Sequence, residues 1–256
     1  AELVNRVNIV APKTPIPILS NLLLEAKDKQ IILTATDLTV GVRCTGQAKV
    51  IQEGATTLPA RRLAQLLREL TAHHVEISTN DREVTQIKAD SSVFKIVGMS
   101  KNEFPTLPDL SGAIQLKVLQ TDLKDALYRT SFAVSKEDSR YVLTGVYLEV
   151  SGKQALFVGT DGKRLAKAFL QLEDSVDTPM DCIIPLKAVD EIMKSLNKDE
   201  EQAIIYLFPD KVAVEAGDIL IMTKLLSGEY PDVDKVIPKQ ASQCVALHKD
   251  ELLQLL

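Results

Sequence analysis

The sequence predicts an α+β protein in which one type of domain occurs twice and begins a third time. Three observations support this prediction. Short segments recur at a nearly constant spacing, apolar residues alternate in runs of strand length, and two helix patterns accompany the strands of each copy. The chain of 256 residues is long enough for two domains of ordinary size. Each copy is expected to be mostly antiparallel sheet carrying two one-sided helices.

The duplication is visible in three pairs of matching segments. The second member of each pair lies 124 or 126 positions after the first, as from Leu24 to Leu148 and from Pro59 to Pro185. The matched segments are residues 24–30 with 148–154, 58–59 with 184–185, and 103–105 with 229–231. Collinear matches at almost one spacing are hard to obtain by chance, so an internal duplication is the simplest explanation.

Each copy is predicted to start with a helix followed by a β-hairpin. Apolar residues recur at helical spacing at Leu3, Val7 and Val10 in the first copy, and at Leu123 and Leu127 in the second. The strands of the two hairpins are expected at residues 21–26 and 31–35, and at residues 146–150 and 155–158. A polar turn separates the strands in both hairpins, which is typical of an antiparallel pair.

A second helix is predicted after a proline in each copy. Apolar residues recur at helical spacing after Pro59 and Pro185, and proline suits a helix start because its missing N–H would be unpaired there. In the turn of the second hairpin, Gly152 can adopt the positive φ that a tight turn requires. Further alternating strands are expected at residues 75–78, 94–97, 203–207 and 212–216.

The repeat spacing divides the chain into residues 1–110, 111–241 and 242–256. Residues 245–253 resemble the start of the second copy, so they are expected to begin a third domain. The strand predicted at residues 114–119, which precedes the first helix of the second copy, has no counterpart before Ala1. We therefore interpret the chain as a fragment: a first domain that lacks its first strand, a second domain, and the start of a truncated third.

The composition is that of an ordinary globular protein, with 45% hydrophobic and 25% charged residues. No apolar run approaches the length of a membrane span and no signal pattern opens the chain, so no membrane contact is expected. Cys44, Cys182 and Cys244 are isolated, which argues against a disulfide framework or a zinc site and fits a reducing cytoplasm. The net charge of −5 argues against a uniformly basic nucleic-acid binder, but it does not describe how charge is distributed.

The sequence offers no convincing catalytic site. His73 and His74 are adjacent at a predicted turn, and residues 159–164 lack the spacing of a phosphate-binding loop and are expected to form a hairpin turn. Asp37 and Asp161 occupy the same position in separate copies, so both are expected to stabilise turns. The protein is predicted not to be an enzyme and to need no cofactor or metal. The rival hypothesis is an enzyme that acts on phosphorylated substrates through these two aspartates.

Positive charge is concentrated on the helix predicted after Pro59. Arg61, Arg62 and Arg68 lie in a ten-residue stretch that contains one acid, Glu69. Such a cluster suits a surface facing nucleic-acid phosphates, provided that the side chains converge in space. The alternative is a solvated helix face of mixed charge.

Seven ordered motifs resemble those of the bacterial sliding clamps, the beta subunits of DNA polymerase III. They lie at residues 33–38, 58–61, 104–108, 140–146, 159–166, 184–188 and 224–232. The resemblance spans essentially the whole chain. It implies three clamp domains per full-length chain, with antiparallel sheets outside and two helices of each domain on the inner face. Two such chains would form a homodimeric ring.

The resemblance also implies a function in DNA replication. The ring would encircle double-stranded DNA without reading its sequence and would confer processivity on the replicative polymerase. The implied partners are the catalytic subunit of DNA polymerase III, the clamp loader and other proteins that carry a clamp-binding motif. The protein would be cytoplasmic. A repeat scaffold that binds proteins but not DNA is the alternative.

The resemblance places DNA contacts at Lys13 and Tyr141, and on the inner face at Arg61, Arg62 and Arg68. It also implies a cleft for a partner peptide between the second and third domains. The residues implied at this cleft are Arg140, Leu143, Thr160, Gly162, Lys163, Arg164, Leu165, Pro231 and Val236. Lys163 departs from the family pattern, in which better-known members have histidine.

The same resemblance implies half of a dimer interface in the first domain. Arg62, Phe94 and Ile96 match positions on or near the edge strand that pairs with the third domain of a partner chain. The alternative for Phe94 and Ile96 is that both side chains face inward from their strand.

Overall fold

The computed structural model describes residues 1–11, 14–196, 201–237, 243 and 245–255, with the backbone alone at residues 138–139. Lys13 and Cys244 lie outside the described residues. The first repeat contains α1 (Glu2–Asn8), β1 (Asn21–Lys27), β2 (Gln30–Thr36), β3 (Val40–Gln47), β4 (Gly54–Pro59), α2 (Ala60–Glu69), β5 (Glu76–Thr79), β6 (Val84–Ala89) and β7 (Ser92–Val97). These elements confirm the predicted order of helix, hairpin, helix and strands.

The second repeat begins with an additional strand, β8, and then follows the same order of elements. It contains β8 (Ile114–Leu119), α3 (Gln120–Ser131), β9 (Gly145–Thr160), β10 (Leu165–Pro185), α4 (Leu186–Ser195), β11 (Gln202–Leu207), β12 (Lys211–Ala216) and β13 (Ile219–Lys224), followed by α5 (Val233–Val236) and α6 (Lys249–Leu255). Short 3₁₀ helices lie at Pro17–Ser20, Lys101–Glu103 and Asp138–Thr144. None of the helices formed by the described residues is long and apolar enough to cross a membrane.

The second hairpin differs from its prediction because two expected strands are continuous in β9. Residues 145–150 of β9 pair with residues 180–185 of β10, as β1 pairs with β4 in the first repeat. Residues 154–160 pair with residues 165–171, as β2 pairs with β3. Gly152, between the two paired parts, has the predicted positive φ of 56°. The pairing pattern is therefore repeated although the boundaries of the strands are not.

One sheet joins the two repeats. Its eight strands are ordered β4-β1-β2-β3-β13-β12-β11-β8, and β3 of the first repeat pairs antiparallel with β13 of the second. In this joint Val40 lies opposite Thr223 and Cys44 lies opposite Ile219. Backbone hydrogen bonds from Thr45 N to the carbonyl of Asp218 (2.9 Å) and from Lys224 N to the carbonyl of Thr39 (3.1 Å) extend it. The two repeats are thus connected by main-chain pairing rather than by a flexible linker alone.

The helices cover one face of the sheets. The pair α1 and α2 packs in the first repeat, and the pair α3 and α4 packs in the second. Their buried residues, such as Leu63, Leu127 and Ile192, belong to one apolar core that runs through both repeats. On the opposite face of β11–β13, a separate cluster around Tyr206 and Met222 packs against residues of the connecting segment. This arrangement confirms the predicted α+β class.

Helix ends and the third repeat differ from the simple periodic pattern. Leu70 and Leu196, which continue the apolar spacing of α2 and α4, adopt extended backbone and terminate these helices. Val10 follows α1 but is still buried in the core. At the expected third repeat, α6 forms and its apolar residues are exposed, among them Leu255 at 84%.

Each repeat contains a hydrogen-bonded aspartate turn, and the first of these turns also contacts the second repeat. Asp37 Oδ1 accepts hydrogen bonds from the backbone of Thr39 (2.8 Å) and Val40 (2.7 Å), while Oδ2 forms an ion pair with Lys187 of α4. Burial alone raises the pKa of Asp37. The hydrogen bonds from Lys187, Thr39 and Val40 outweigh burial and hold the pKa below its ordinary value.

Asp37→Ala is expected to lower the free energy of unfolding by about 1–2 kcal/mol at neutral pH, because it removes a set of charge-assisted hydrogen bonds. Because the folded-state pKa is depressed, this stabilisation is present above the unfolded pKa and lost as the pH falls through the folded one. Urea unfolding at several pH values should show the gap between wild type and variant narrowing on acidification. Asp161→Ala, at the matching turn, should lower the free energy of unfolding by less. Among the described residues Asp161 pairs with Arg164 of its own turn and not with a lysine of the other repeat. Equal losses at the two sites would contradict a role for the Lys187 contact.

Candidate binding surfaces

Helix α2 presents three arginines to solvent. Arg61, Arg62 and Arg68 are exposed, while Leu63 and Ala64 are buried on the opposite side of the helix. Because α2 packs beside α1, these guanidinium groups lie on the helical side of the first repeat. The structure therefore places the predicted arginines where a ligand could reach them.

The other two predicted DNA contacts are not on this helix. Tyr141 lies in the 3₁₀ helix Asp138–Thr144 of the second repeat, is 57% exposed, and its carbonyl accepts a hydrogen bond from Thr144 Oγ1 at 2.7 Å. Lys13 cannot be placed, since it is outside the described residues. Tyr141 and the α2 arginines thus belong to different repeats.

The turn between β9 and β10 carries five of the predicted cleft residues. Thr160 Oγ1 donates to the carbonyl of Arg164 (2.6 Å) and accepts from the backbone N–H of Gly162 (3.1 Å). Asp161 Oδ1 accepts from the backbone of Lys163 (2.9 Å) and Arg164 (3.0 Å). Gly162 has a φ of 85°, which glycine adopts without the strain that a Cβ causes there. These bonds hold the turn in one shape and confirm the predicted hairpin.

A small apolar core brings the cleft segments together. It contains Leu143 from the 3₁₀ helix, Val158 of β9 and Tyr230, with Leu165 and Val233 packed against it. Leu143 is 4% exposed, so it packs inside the wall of the predicted cleft. Leu165 is half-buried, so part of its side chain is accessible. Three chain segments that are distant in sequence thus meet at the predicted cleft.

Charged side chains border this core. The guanidinium of Arg140 lies against Gly162, since a Cβ built there would collide with Arg140 Nη1. Arg164 pairs with Asp161 (Nε to Oδ2, 3.0 Å) and lies 5.7 Å from the ring centre of Phe132 at the end of α3. Two arginines therefore stand beside an apolar surface, an arrangement that can hold apolar groups and anchor a carboxylate or carbonyl.

The far side of the predicted cleft is formed by α5. Lys167 Nζ pairs with Asp234 Oδ1 at 3.0 Å and ties α5 to β10. Pro231 is exposed, and Val236 is 64% exposed at the end of α5. The structure therefore brings the predicted residues to one region, with Val236 at its open margin.

Three aromatic residues at this region were not predicted. The rings of Tyr147 and Tyr230 stack at 4.7 Å between centres, and Phe132 contributes the exposed ring beneath Arg164. Burial raises the pKa of Tyr230 to about 12, partly opposed by the backbone of Thr160. The repeated Glu-Tyr/Phe-Pro motif was the sequence signal for Tyr230. Tyr147 and Phe132 carried no comparable signal because each is a single residue in an ordinary strand or helix pattern.

Two of the three predicted dimer residues, Phe94 and Ile96, lie on the expected strand β7 and face inward, whereas Arg62 lies on α2. Ile96 is 3% exposed and Phe94 is half-buried against the core, as the alternative interpretation held. The exposed apolar side chains of β7 are Val93 at 53% and Val97 at 66%. Strict alternation along β7 could have identified them, since every second side chain of a strand faces the opposite side.

β7 occupies in the first repeat the position that β13 has in the second. Each is the last strand of a three-stranded run, β5-β6-β7 or β11-β12-β13. In the described part of the chain, β13 pairs on its second side with β3, whereas residues 92–97 of β7 pair with β6 alone. β7 therefore has an open edge at the position where β13 forms the joint between repeats.

The aspartates of the rival enzyme hypothesis do not share a site. Asp37 is bound in the β2–β3 turn and Asp161 in the β9–β10 turn, each by the backbone of its own turn. His73, His74 and His248 are exposed. The two aspartates therefore stabilise their own turns, and the three histidines lie on the surface.

Taken together, repeated α+β units joined through sheet edges, with helices on one side, define the class of clamp-domain proteins. A family model described as the N-terminal domain of the DNA polymerase III beta subunit matches residues 1–108, and one described as its central domain matches residues 117–232. The chain belongs to the family of bacterial DNA polymerase III beta subunits, the beta sliding clamps.

Individual relatives and solved structures agree with this family. The beta sliding clamp of Chlamydia muridarum is 47% identical over 249 residues, covering 97% of this chain and 68% of that protein. The Chlamydia pneumoniae beta sliding clamp is 46% identical, covering 100% and 70%. The DNA polymerase III beta subunit of Pseudomonas aeruginosa has a TM-score of 0.90 at 29% identity, covering 94% and 66%.

The Bacillus subtilis DNA polymerase sliding clamp has a TM-score of 0.89 at 28% identity, covering 93% of this chain and 65% of that one. The chain thus spans about two thirds of the length of the relatives and structures it matches.

Gly162→Ala is expected to destabilise the protein by about 1 kcal/mol or more and to displace Arg140, because alanine is strained at positive φ and its Cβ would meet the guanidinium. Gly152→Ala is the matched control, since Gly152 also has positive φ but a Cβ there would meet nothing within 4 Å. Unfolding measurements and crystal structures of both variants would separate the two effects. An unmoved Arg140 in Gly162→Ala would contradict the described packing.

Proposed function

We propose that the protein is a DNA sliding clamp that confers processivity on the replicative polymerase by encircling duplex DNA. The observation that carries this proposal is the joint between β3 and β13, which links two units edge to edge with their helices on one side. Repetition of such a joint builds a curved row of units whose helices face inward. The names of the relatives support the same function.

The open strand edges support closure into a ring. The first part of β10 corresponds to β3, so it can pair with a third domain as β3 pairs with β13. β7 corresponds to β13, so it can pair with the third domain of a second chain, with Val93 and Val97 beside Phe94, Ile96 and Arg62. The full-length protein is then a homodimer with head-to-tail joints. We assign residues 1–110 and 111–241 to the first two domains and residues 242–256 to the start of the third.

Binding of DNA would depend on topology and on loose phosphate contacts. The exposed arginines of α2, with Lys13 and Tyr141, are the proposed contacts to double-stranded DNA. Contacts to phosphates carry no sequence information, so a ring held by them can move along the duplex. Tethering holds the polymerase at a high effective concentration near the DNA, and this needs no chemical step by the clamp itself.

The cleft is the proposed site for partner peptides. Leu165, Pro231 and Val236 offer partly or fully exposed apolar surface, and Arg140 and Arg164 stand beside it. A short peptide with apolar anchors fits this chemistry. The proposed partners are the catalytic subunit of DNA polymerase III, the clamp loader and other proteins that carry a clamp-binding motif, in the bacterial cytoplasm.

The full-length protein, loaded on a nicked circular plasmid by its clamp loader, is expected to remain bound and to be lost after the plasmid is linearised. A ring leaves DNA by sliding off an end, whereas a surface-bound protein dissociates equally from both forms. Gel filtration of the protein–DNA complex before and after cutting would measure retention. Equal loss from circular and linear DNA would leave the alternative, a scaffold that binds proteins but not DNA.

Leu165→Ala is expected to weaken binding of a short apolar-anchored partner peptide about tenfold, because it removes a partly accessible wall of the cleft. Leu38→Ala is the matched control, since Leu38 is exposed at the corresponding turn of the first repeat. Fluorescence anisotropy with a labelled peptide would measure both affinities. Equal weakening by the two substitutions, or none by Leu165→Ala, would contradict the proposed cleft.

A further inference from the structure

The cations of α1 and α3 are already neutralised within the protein. Arg6 of α1 forms ion pairs with Glu2 (2.7 Å) and with Asp218 of the second repeat (3.0 Å). Arg129 of α3 pairs with Asp125 at 2.8 Å. Each of these guanidinium groups therefore faces a carboxylate a few ångströms away, which cancels most of its field at a distance.

The cations of α4 and the remaining lysine of α3 also have partners. Lys187 pairs with Asp37, and Lys194 Nζ lies 2.8 Å from Glu191 Oε1. Lys124 Nζ donates a hydrogen bond to the carbonyl of Leu196 at 2.6 Å, at the end of α4. Exposed acids on the same two helices, Asp122 and Asp190, lower the net charge of this surface further.

Helix α2 differs from α1, α3 and α4 because its cations have no internal partners among the described residues. Arg61, Arg62 and Arg68 are exposed, and none of them has an ion pair or side-chain hydrogen bond within the described ranges of the chain. Glu69 is the one acid of this helix. A free guanidinium offers its full charge and its fork of N–H donors to a phosphate without first breaking an internal bond.

We propose that the four helices α1 to α4 contact duplex DNA unevenly: among them α2 supplies the phosphate contacts, while α1, α3 and α4 form an electrostatically neutral wall. This inference rests on the proposed function and adds to it the identity of the binding helix. The neutral wall carries an exposed aromatic side chain, Tyr128 of α3 at 73%. Such a surface can contact the duplex sterically, but it adds little electrostatic attraction to the phosphates.

The test compares two triple substitutions that remove the same charge. R61A/R62A/R68A removes the free arginines of α2. Because Arg62 also lies beside the proposed dimer joint, gel filtration first checks that this variant has the same oligomeric state as the wild type. In the intact full-length protein the variant is expected to make the plot of log Kobs against log salt for a short duplex shallower. The slope should fall by about two to three units for each chain of the ring that contacts the duplex, because up to three phosphate contacts per chain are lost.

The control R6A/R129A/K194A removes one paired cation from each of the other helices. It is expected to change the slope by less than about one, since these groups do not contact phosphates. Fluorescence anisotropy of a labelled duplex over a range of salt concentrations measures both slopes. R61Q/R62Q/R68Q keeps side-chain length and helix propensity, so agreement between it and the alanine variant excludes loss of the helix as the cause.

Equal flattening of the slope by the two triple variants, or no flattening by the α2 variant, would overturn the uneven surface. Retention of the wild-type protein on circular DNA separates this failure from that of the proposed function. If the wild type is retained on circular DNA and the α2 variant binds the duplex with the same salt slope as the wild type, the inference alone is wrong. If the wild type is neither retained nor bound in a salt-dependent way, the proposed function is wrong and the inference fails with it.

Discussion

Main-chain pairing between β3 and β13 is the interaction on which the rest of this structure depends. It converts two separate sheets into one of eight strands and lets a single apolar core run through both repeats. Backbone hydrogen bonds of this kind tolerate wide variation in sequence, because they use groups that every residue but proline carries. Side chains then adjust the joint. Arg6 with Asp218 and Lys187 with Asp37 add two ion pairs that cross it from opposite repeats.

The two copies contain the same aspartate turn, but its surroundings differ between them. Asp37 and Asp161 form the same hydrogen bonds to the backbone of their turns, so the fold of the turn is conserved between the copies. The next position is Leu38 in one copy and Gly162 in the other, both at positive φ. In the first repeat the turn binds α4 through Lys187, whereas in the second it supports Arg140 at the cleft. The same local geometry therefore contributes to the joint between the repeats in one copy and to the proposed binding surface in the other.

Periodicity was sufficient to predict most helices and strands, because each has one buried face. Periodicity could not predict which strands become neighbours, since the backbone edges of β3 and β13 leave no trace in the pattern of side chains. For the same reason the pattern placed Phe94 and Ile96 on the correct strand but left open whether they face the core or an interface; their side chains pack against the core. Ion pairs such as Arg6–Asp218 join residues far apart in the chain. The sequence could therefore show three arginines on α2, but not that none of them forms an ion pair within the described residues, whereas the arginines of α1 and α3 do.

The joint between repeats has a consequence for assembly. It is heterologous, because the edge contributed by β3 differs from the edge contributed by β13, and so a unit added at one end always leaves a fresh edge at the other. Nothing in the hydrogen bonds themselves limits growth to a particular number of units. Only the angle between successive units decides between a closed circle and an open filament, so substitutions that change this angle risk polymerisation even when every single unit folds correctly.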